Sequence, residues 1–323
     1  MSITREEAQW FAQAFGQIVS SVSQAVLGKE YVVRLAVSAL LAEGHILLED
    51  APGTGKTMLA RSLAASVEGQ EKRIQFTPDL LPTDVTGVTV YDQSRGVFEF
   101  KPGPIFATIV LADEINRASP KTQSALLEVM EEGQVTVDGV TRPVGRPFMV
   151  LATQNPIEQA GTYRLPEAQL DRFLMKTSIG YPDRASTVEI LSGAAVKNRA
   201  AAISSVITTD AVCQMADMAA KVHVPDAVLD YVSWIAEETR ATSETRIGVS
   251  VRGALAMTRA AKVWAASQGR EYVLPEDIQE LAGPVLSHRL VLDPEAEFAG
   301  ATASQIVGRI LTEVPAPKIG MPS

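Results

Sequence analysis

The stretch His45-Ile46-Leu47-Leu48-Glu49-Asp50-Ala51-Pro52-Gly53-Thr54-Gly55-Lys56-Thr57-Met58-Leu59-Ala60-Arg61 decides the fold. The apolar run from His45 to Leu48 reads as a buried strand, a Pro-Gly turn follows, and Gly-Lys-Thr opens a helical pattern. Strand, glycine loop and helix in that order form a phosphate loop. Gly53 and Gly55 let backbone N–H groups turn inward around an anion, the helix start adds its positive dipole, and Lys56 adds a point charge for the β- and γ-phosphates. The Thr57 hydroxyl suits Mg²⁺, and Thr54 and Met58 complete the stretch expected to line the nucleotide. One residue departs from G-x-x-x-x-G-K-[ST]: the first glycine falls at position 50, where this chain has Asp50, which leaves the loop's shape open.

Working outward, Thr4 with Glu7 fits a capping box, and Ala8, Phe11, Phe15, Ile18, Val19 and Val22 share one face of an opening helix. A second helical pattern runs through Val32, Leu35, Ala36, Ala39 and Leu40 into the strand at His45. Beyond the loop, strands at Arg73 to Phe76, Ile109 to Leu111 and Phe148 to Leu151 alternate with helices, one opened by Ser119-Pro120, which predicts a parallel α/β sheet. Two hairpins interrupt the alternation. Thr89 to Tyr91 and Val97 to Phe100 flank a Gly-containing turn, and Val135 to Val137 and Val140 to Arg142 flank Asp138-Gly139, a two-residue hairpin signal. After Tyr181-Pro182 helical spacing takes over through Val212, Met215, Val228, Tyr231, Val232, Ile235, Ala254 and Leu255. The expected division is an α/β nucleotide-binding domain over 1–181 and a helical domain with a C-terminal tail over 182–323, where the end from Val314 to Ser323 is Pro-rich and expected to fray.

Length and composition limit what such a chain can do. At 323 residues it is long enough for two domains of about 150 residues, and 46% hydrophobic against 21% charged excludes a largely disordered chain. The 29 basic and 38 acidic residues leave a net charge of −9, which disfavours non-specific binding to nucleic acid. Cys213 has no second cysteine to pair with, and His45, His223 and His288 lie without ligand spacing, so disulfide and zinc frameworks are excluded. Cys213, Trp234 and Trp264 are expected to pack within the helical part. Two glutamates stand where a secretion signal needs apolar residues, and the apolar stretch around Phe106 to Ala112 is far short of the roughly 20 residues that span a bilayer. The expected compartment is the cytoplasm.

The run Thr108-Ile109-Val110-Leu111-Ala112-Asp113-Glu114 ends a buried strand in adjacent carboxylates, at the sheet edge where ligands of open α/β folds bind. Asp113 is expected to help hold Mg²⁺ through its water shell, and Glu114 to polarise the water that attacks the γ-phosphate. A glutamate in that place suits a hydrolase.

With these motifs the chain resembles the AAA+ ATPases and, within them, the MoxR family, over nearly its whole length. The resemblance rests on Phe76-Thr77-Pro78-Asp79-Leu80-Leu81-Pro82-Thr83-Asp84-Val85-Thr86-Gly87, on Asp113-Glu114-Ile115-Asn116-Arg117-Ala118, and on Gln123-Ser124-Ala125-Leu126-Leu127-Glu128. Ala152-Thr153-Gln154-Asn155-Pro156 resembles the family's sensor 1 strand end, and Leu165-Pro166-Glu167-Ala168-Gln169-Leu170-Asp171-Arg172-Phe173 its arginine-finger segment. Gly248-Val249-Ser250-Val251-Arg252-Gly253-Ala254 resembles its sensor 2 helix start, with two residues differing from the usual Gly-Ala-Ser-Pro-Arg.

The resemblance implies a P-loop core with a five-stranded parallel sheet sandwiched by helices, inserted β-hairpins and a small all-α lid. It implies that Asn155 orients the attacking water, that Arg252 touches the γ-phosphate from the lid, and that Arg172 reaches the nucleotide of a neighbouring subunit. Val26-Leu27-Gly28-Lys29 resembles the segment lining the adenine, with Val26 and Gly28 as contacts, although a plain helix-to-helix turn explains it nearly as well. The implied activity is ATP hydrolysis with Mg²⁺ in a homo-oligomeric ring, expected to be a hexamer. The ring would remodel or help assemble partner proteins, often with a von Willebrand factor A domain partner. The alternatives are a magnesium-chelatase-like motor subunit and a DNA-translocating motor, the latter opposed by the charge. The inserted hairpins are expected either to be bare turns or to contact substrate.

Overall fold

A computed structural model describes residues 2–51, 53–155, 162–192 and 199–318. Pro52 of the glycine loop, Pro156 of the sensor-like string and the last five residues of the tail lie outside the described residues.

The apolar runs become the inner strands of one sheet. Its order is Glu71–Gln75, Ile109–Asp113, Met149–Gln154, Ile46–Glu49 and Met175–Thr177. The first four run parallel, with Gln75 opposite Asp113, Ala112 opposite Ala152 and Glu49 opposite Gln154. All five residues of Ile109–Asp113 and the first five of Met149–Gln154 are buried, which is why they read as unbroken apolar runs rather than alternating ones. In the edge strand Glu71–Gln75 only Ile74 is buried. This register brings the ends of these strands level, so Glu49, Gln75, Asp113 and Gln154 finish along one edge of the sheet.

Helices Glu30–Leu41, Lys56–Ser66 and Pro120–Glu132 belong to the same unit. Ser119 caps the last of them, accepting from the Thr122 N–H. His45, which enters the first strand, is a structural residue. Its Nδ1 accepts from the Val150 N–H at 3.0 Å, so its Nε2–H donates to the Met130 carbonyl at 2.9 Å. Both expected hairpins form, Gly87–Asp92 with Val97–Pro102 and Gln134–Val137 with Val140–Pro143. Asp138 (φ 52°) and Gly139 (φ 75°) take the left-handed pair of a type I′ turn. On the longer hairpin the Tyr91 and Phe98 rings pack at 5.1 Å, tilted by 56°, while remaining 54% and 76% exposed.

The second half is helical, as its spacing predicts. Val228, Tyr231, Val232 and Ile235 of helix Asp226–Ala241 are buried, as are Met257, Ala260, Ala261 and Trp264 of Val251–Ser267. A short antiparallel pair, Thr245–Ile247 with Val291–Leu292, lies within it, so it is helical with one small ladder. Trp264 packs as expected. Trp234 does not: it is 42% exposed and donates from Nε1 to Glu238 at 3.1 Å, because it sits off the helix face formed by Val228, Tyr231, Val232 and Ile235. Among the described residues no helix is long and apolar enough to cross a membrane.

Compactness divides the chain discontinuously. One unit comprises 17–165 and 177–213, the other 1–16, 166–176 and 214–323. The boundary expected after Tyr181 divides the sequence by type of element, and these units interleave across it. The opening helix Arg5–Ser23, closed at its start by the expected Thr4–Glu7 box, contributes residues to both.

Candidate active site

The phosphate loop forms at the end of strand Ile46–Glu49 and leads into helix Lys56–Ser66. Gly53 (φ 84°) and Gly55 (φ 97°) take left-handed backbone, and a Cβ built on either would meet nothing within 4 Å. The loop thus leaves open space beside the N-terminus of an eleven-residue helix, the geometry that receives a phosphate. The Thr54 hydroxyl points back to the Ala51 carbonyl at 3.4 Å, so Thr54 has its backbone to offer a ligand. Lys56 donates from Nζ to the Asp50 carbonyl at 3.2 Å. Thr57 and Met58 follow in the first helical turn, both half-buried.

Asp50 resolves the departure from the glycine pattern. It is 4% exposed and does not take the left-handed backbone that would call for glycine. Its carboxylate accepts from Ser178 Oγ at 2.7 Å, from the Ile179 N–H at 2.7 Å and from the Gly180 N–H at 2.8 Å.

Asp113 and Glu114 stand one strand further along, and four residues outside the expected site hold them. Thr153, fully buried, donates from its hydroxyl to Asp113 Oδ1 at 2.6 Å and accepts from the Glu114 N–H at 2.9 Å. Arg73 pairs with Asp113 Oδ2 at 2.5 Å. Gln75 donates to Glu114 Oε2 at 2.8 Å, and Arg117 donates to the same oxygen at 3.0 Å. Glu114 itself has left-handed backbone (φ 56°, ψ 50°), which is uncommon for a residue with a side chain and is stabilised here by the Thr153 bond. Its Oε1 has no protein donor among the described residues. Asn155, 7% exposed, follows strand Met149–Gln154 directly.

Val26 is 5% exposed, and Gly28 is left-handed (φ 69°) against Ser186, whose Oγ would lie 2.3 Å from an added Cβ. The adjacent Lys29 donates to the Tyr181 carbonyl at 2.8 Å. Lys56, Thr57, Asp113, Glu114, Asn155, Val26 and Gly28 therefore all belong to one compact unit.

Arg172 and Arg252 belong to the other. Arg172 follows the short helix Glu167–Leu170, and Arg252 is the second residue of Val251–Ser267, capped by Ser250 through the Gly253 N–H at 3.1 Å. Asp171 joins their segments: it accepts from Arg289 Nε at 2.7 Å and from Ser250 Oγ at 3.1 Å. Arg289, 6% exposed, also donates to the carbonyls of Phe173 at 2.7 Å and Leu174 at 3.3 Å, and to that of Val285. Burial pulls its guanidinium down to about 10, against Asp171, which holds it up. The segment carrying Arg172 is thus fixed from 118 residues away.

A glycine loop and helix N-terminus, a level strand end with paired acids, and a helical unit with two arginines define a P-loop ATPase of the AAA+ class. Residues 45–175 match the ATPase family associated with various cellular activities, and residues 237–310 match the AAA lid domain. The chain is 48% identical to the uncharacterized protein YeaC of Bacillus subtilis, over 94% of each chain. It is 40% identical to chaperone MoxR1 of Mycobacterium tuberculosis, over 93% of this chain and 82% of that one. A crystal structure from Cytophaga hutchinsonii superposes with a TM-score of 0.91 at 39% identity, covering 97% of this chain and 98% of that chain. The chain belongs to the MoxR family of AAA+ ATPases, and it binds nucleotide and hydrolyses ATP.

Proposed function

We propose that the protein works in the cytoplasm as a hexameric ring that uses ATP hydrolysis to remodel partner proteins. It helps them assemble or become active in the manner of a chaperone, together with a partner carrying a von Willebrand factor A domain. The observation that carries this reading is the division of the site residues: the phosphate loop and acids lie on one compact unit, Arg172 and Arg252 on the other. An arginine carried on a compact unit other than that of the phosphate loop is compatible with action on the nucleotide of a neighbouring subunit, which requires a ring.

In this reading Lys56 exchanges the Asp50 carbonyl for the β- and γ-phosphates. Gln75 and Arg117 anchor one oxygen of Glu114, and Oε1 takes the proton of the attacking water. Asn155 orients that water, and Arg252 with a neighbour's Arg172 neutralises charge developing on the γ-phosphate. The all-oxygen donor set of Thr57 and Asp113 fits Mg²⁺, which the Thr57 hydroxyl would ligate and Asp113 would help hold through its water shell. When bound, Mg²⁺ would neutralise charge on the phosphates and polarise them.

The chaperone reading is favoured over a chelatase-like motor by the relatives. Identity to the chaperone-named protein is 40% over 93% of the chain, against 28% over 68% for a magnesium-chelatase 38 kDa subunit of Chlorobaculum parvum. The net charge of −9 disfavours a DNA motor. The exposed Tyr91–Phe98 pair supports a contact role for the longer hairpin. Light scattering with a slowly hydrolysed ATP analogue tests the ring: a hexamer is expected, and a strict monomer would refute it. Phosphate release that rises several-fold on adding DNA would favour the DNA motor instead.

A further inference from the structure

We propose that Asp50 is a positioning residue that joins the phosphate loop to the wall expected to hold the nucleoside, so that the two ends of a nucleotide are read together. Every polar group of this one residue is engaged with a different part of the site. Its N–H donates to the Gln154 carbonyl at 3.2 Å, at the end of the strand leading to Asn155. Its carbonyl accepts from Lys56 Nζ at 3.2 Å. Its carboxylate takes all three donors of Ser178, Ile179 and Gly180. A glycine in this place would supply the first two bonds and none of the last three.

The tethered segment continues directly into the wall beside Val26 and Gly28. Gly180 is followed by Tyr181, whose carbonyl accepts from Lys29 at 2.8 Å. Asp183 caps the next helix by accepting from the Ser186 N–H at 2.7 Å, and Ser186 is the residue against which Gly28 packs. Two backbone N–H groups and a hydroxyl converging on a buried carboxylate fix residue 50 and residues 178–180 to each other. Asp50 then anchors the start of the loop, and the chain from Gly180 to Ser186 places residues 26–29. The inference rests on the proposed reading that Val26 and Gly28 contact the base.

The test separates joining from mere folding by measuring two ligands. Binding of ADP and of inorganic pyrophosphate is measured by calorimetry on the full chain, for wild type, Asp50→Asn, Asp50→Gly and Ser178→Ala, with thermal melting as the check of fold. In Asp50→Asn and Asp50→Gly the affinity for ADP should fall about tenfold or more while that for pyrophosphate falls less than about threefold. Ser178→Ala, which removes one donor of three, should shift the same ratio by about two- to threefold and serves if the Asp50 variants do not fold. Equal losses for both ligands would overturn the proposal, because they would report damage to the loop alone. An unchanged ratio, above all in Asp50→Gly with its restored glycine, would overturn it too. Wild-type protein that binds ADP no more tightly than pyrophosphate would instead overturn the assignment of the base wall.

Discussion

Replacing Thr153 with valine should slow ATP hydrolysis about 10- to 100-fold while leaving nucleotide affinity nearly unchanged. Valine keeps the shape of threonine but removes the hydroxyl, and that hydroxyl makes two bonds to the two acids of the site. One is charge-assisted, to Asp113 Oδ1 at 2.6 Å, and the other satisfies the Glu114 N–H at 2.9 Å. A buried group left unpaired costs about 1–3 kcal/mol, and a hydrogen bond to a charge contributes about 1.5–3 kcal/mol. Left-handed backbone at Glu114 carries a cost of its own, of order 1–3 kcal/mol. The cheapest relaxation is therefore for the Asp113–Ile115 turn to leave its left-handed form, which moves the Glu114 carboxylate. If about 1.4–2.7 kcal/mol of that cost appears in the transition state, the rate falls by the stated factor, since each 1.36 kcal/mol is tenfold. Thr153→Ser keeps both bonds and loses one methyl group, so its kcat should stay near wild type. Steady-state phosphate release, with thermal melting to confirm fold, checks both. Wild-type kcat in a folded valine variant, or equal losses in the valine and serine variants, would refute the reasoning.

Lys56→Ala should lose nucleotide binding, whereas Glu114→Gln should bind ATP and hydrolyse it at least about 10²-fold more slowly, as filter binding and phosphate release will read. Arg172→Ala should lose about 10³ or more in rate with binding retained, and mixing it with Lys56→Ala should restore part of the activity; an inactive mixture despite co-assembly would refute action on a neighbour. Arg289→Met leaves the Asp171 carboxylate without its cation and should destabilise the fold by about 3 kcal/mol or more in chemical denaturation. His288 is held well below its ordinary value by burial and by the Arg289 guanidinium beside it. The unfolded chain therefore takes up a proton near pH 6.5 before the folded one does. Stability should be full above that pH and fall on acidification below it, and His288→Gln should flatten that slope in melts between pH 5 and pH 7.5.

What could be read in the sequence is what is written locally. The phosphate loop, the Asp113-Glu114 strand end, the Thr4–Glu7 box and the Asp138-Gly139 turn each depend on residues within one element or one turn, so spacing carries them. The misjudged Trp234 was legible too, because it falls off the spacing of Val228, Tyr231, Val232 and Ile235. The holders of the site were not. Thr153 meets Asp113 across 40 residues, and Arg289 meets Asp171 across 118. Such pairs arise from strand order and from the interleaving of the two units, neither of which leaves a periodic trace. One faint signal existed for Asp50: a carboxylate at the end of an apolar run, in a place that needs no charge, implies a partner to satisfy it.

The two arginines show why a site of this kind needs such distant holders. A residue that neutralises transition-state charge must be placed in advance, because ordering a long, flexible side chain during the reaction would consume the stabilisation it offers. Arg172 gains that order from its neighbour Asp171, which is bound on one side to the buried Arg289 and on the other to Ser250, the cap of the helix that begins with Val251 and Arg252. One carboxylate thereby fixes the segments of both arginines to the same body. In the proposed reading the motif residues supply the charges, and the buried pair of Asp171 with Arg289 holds the segments that present them, Arg252 to one nucleotide and Arg172 to the next.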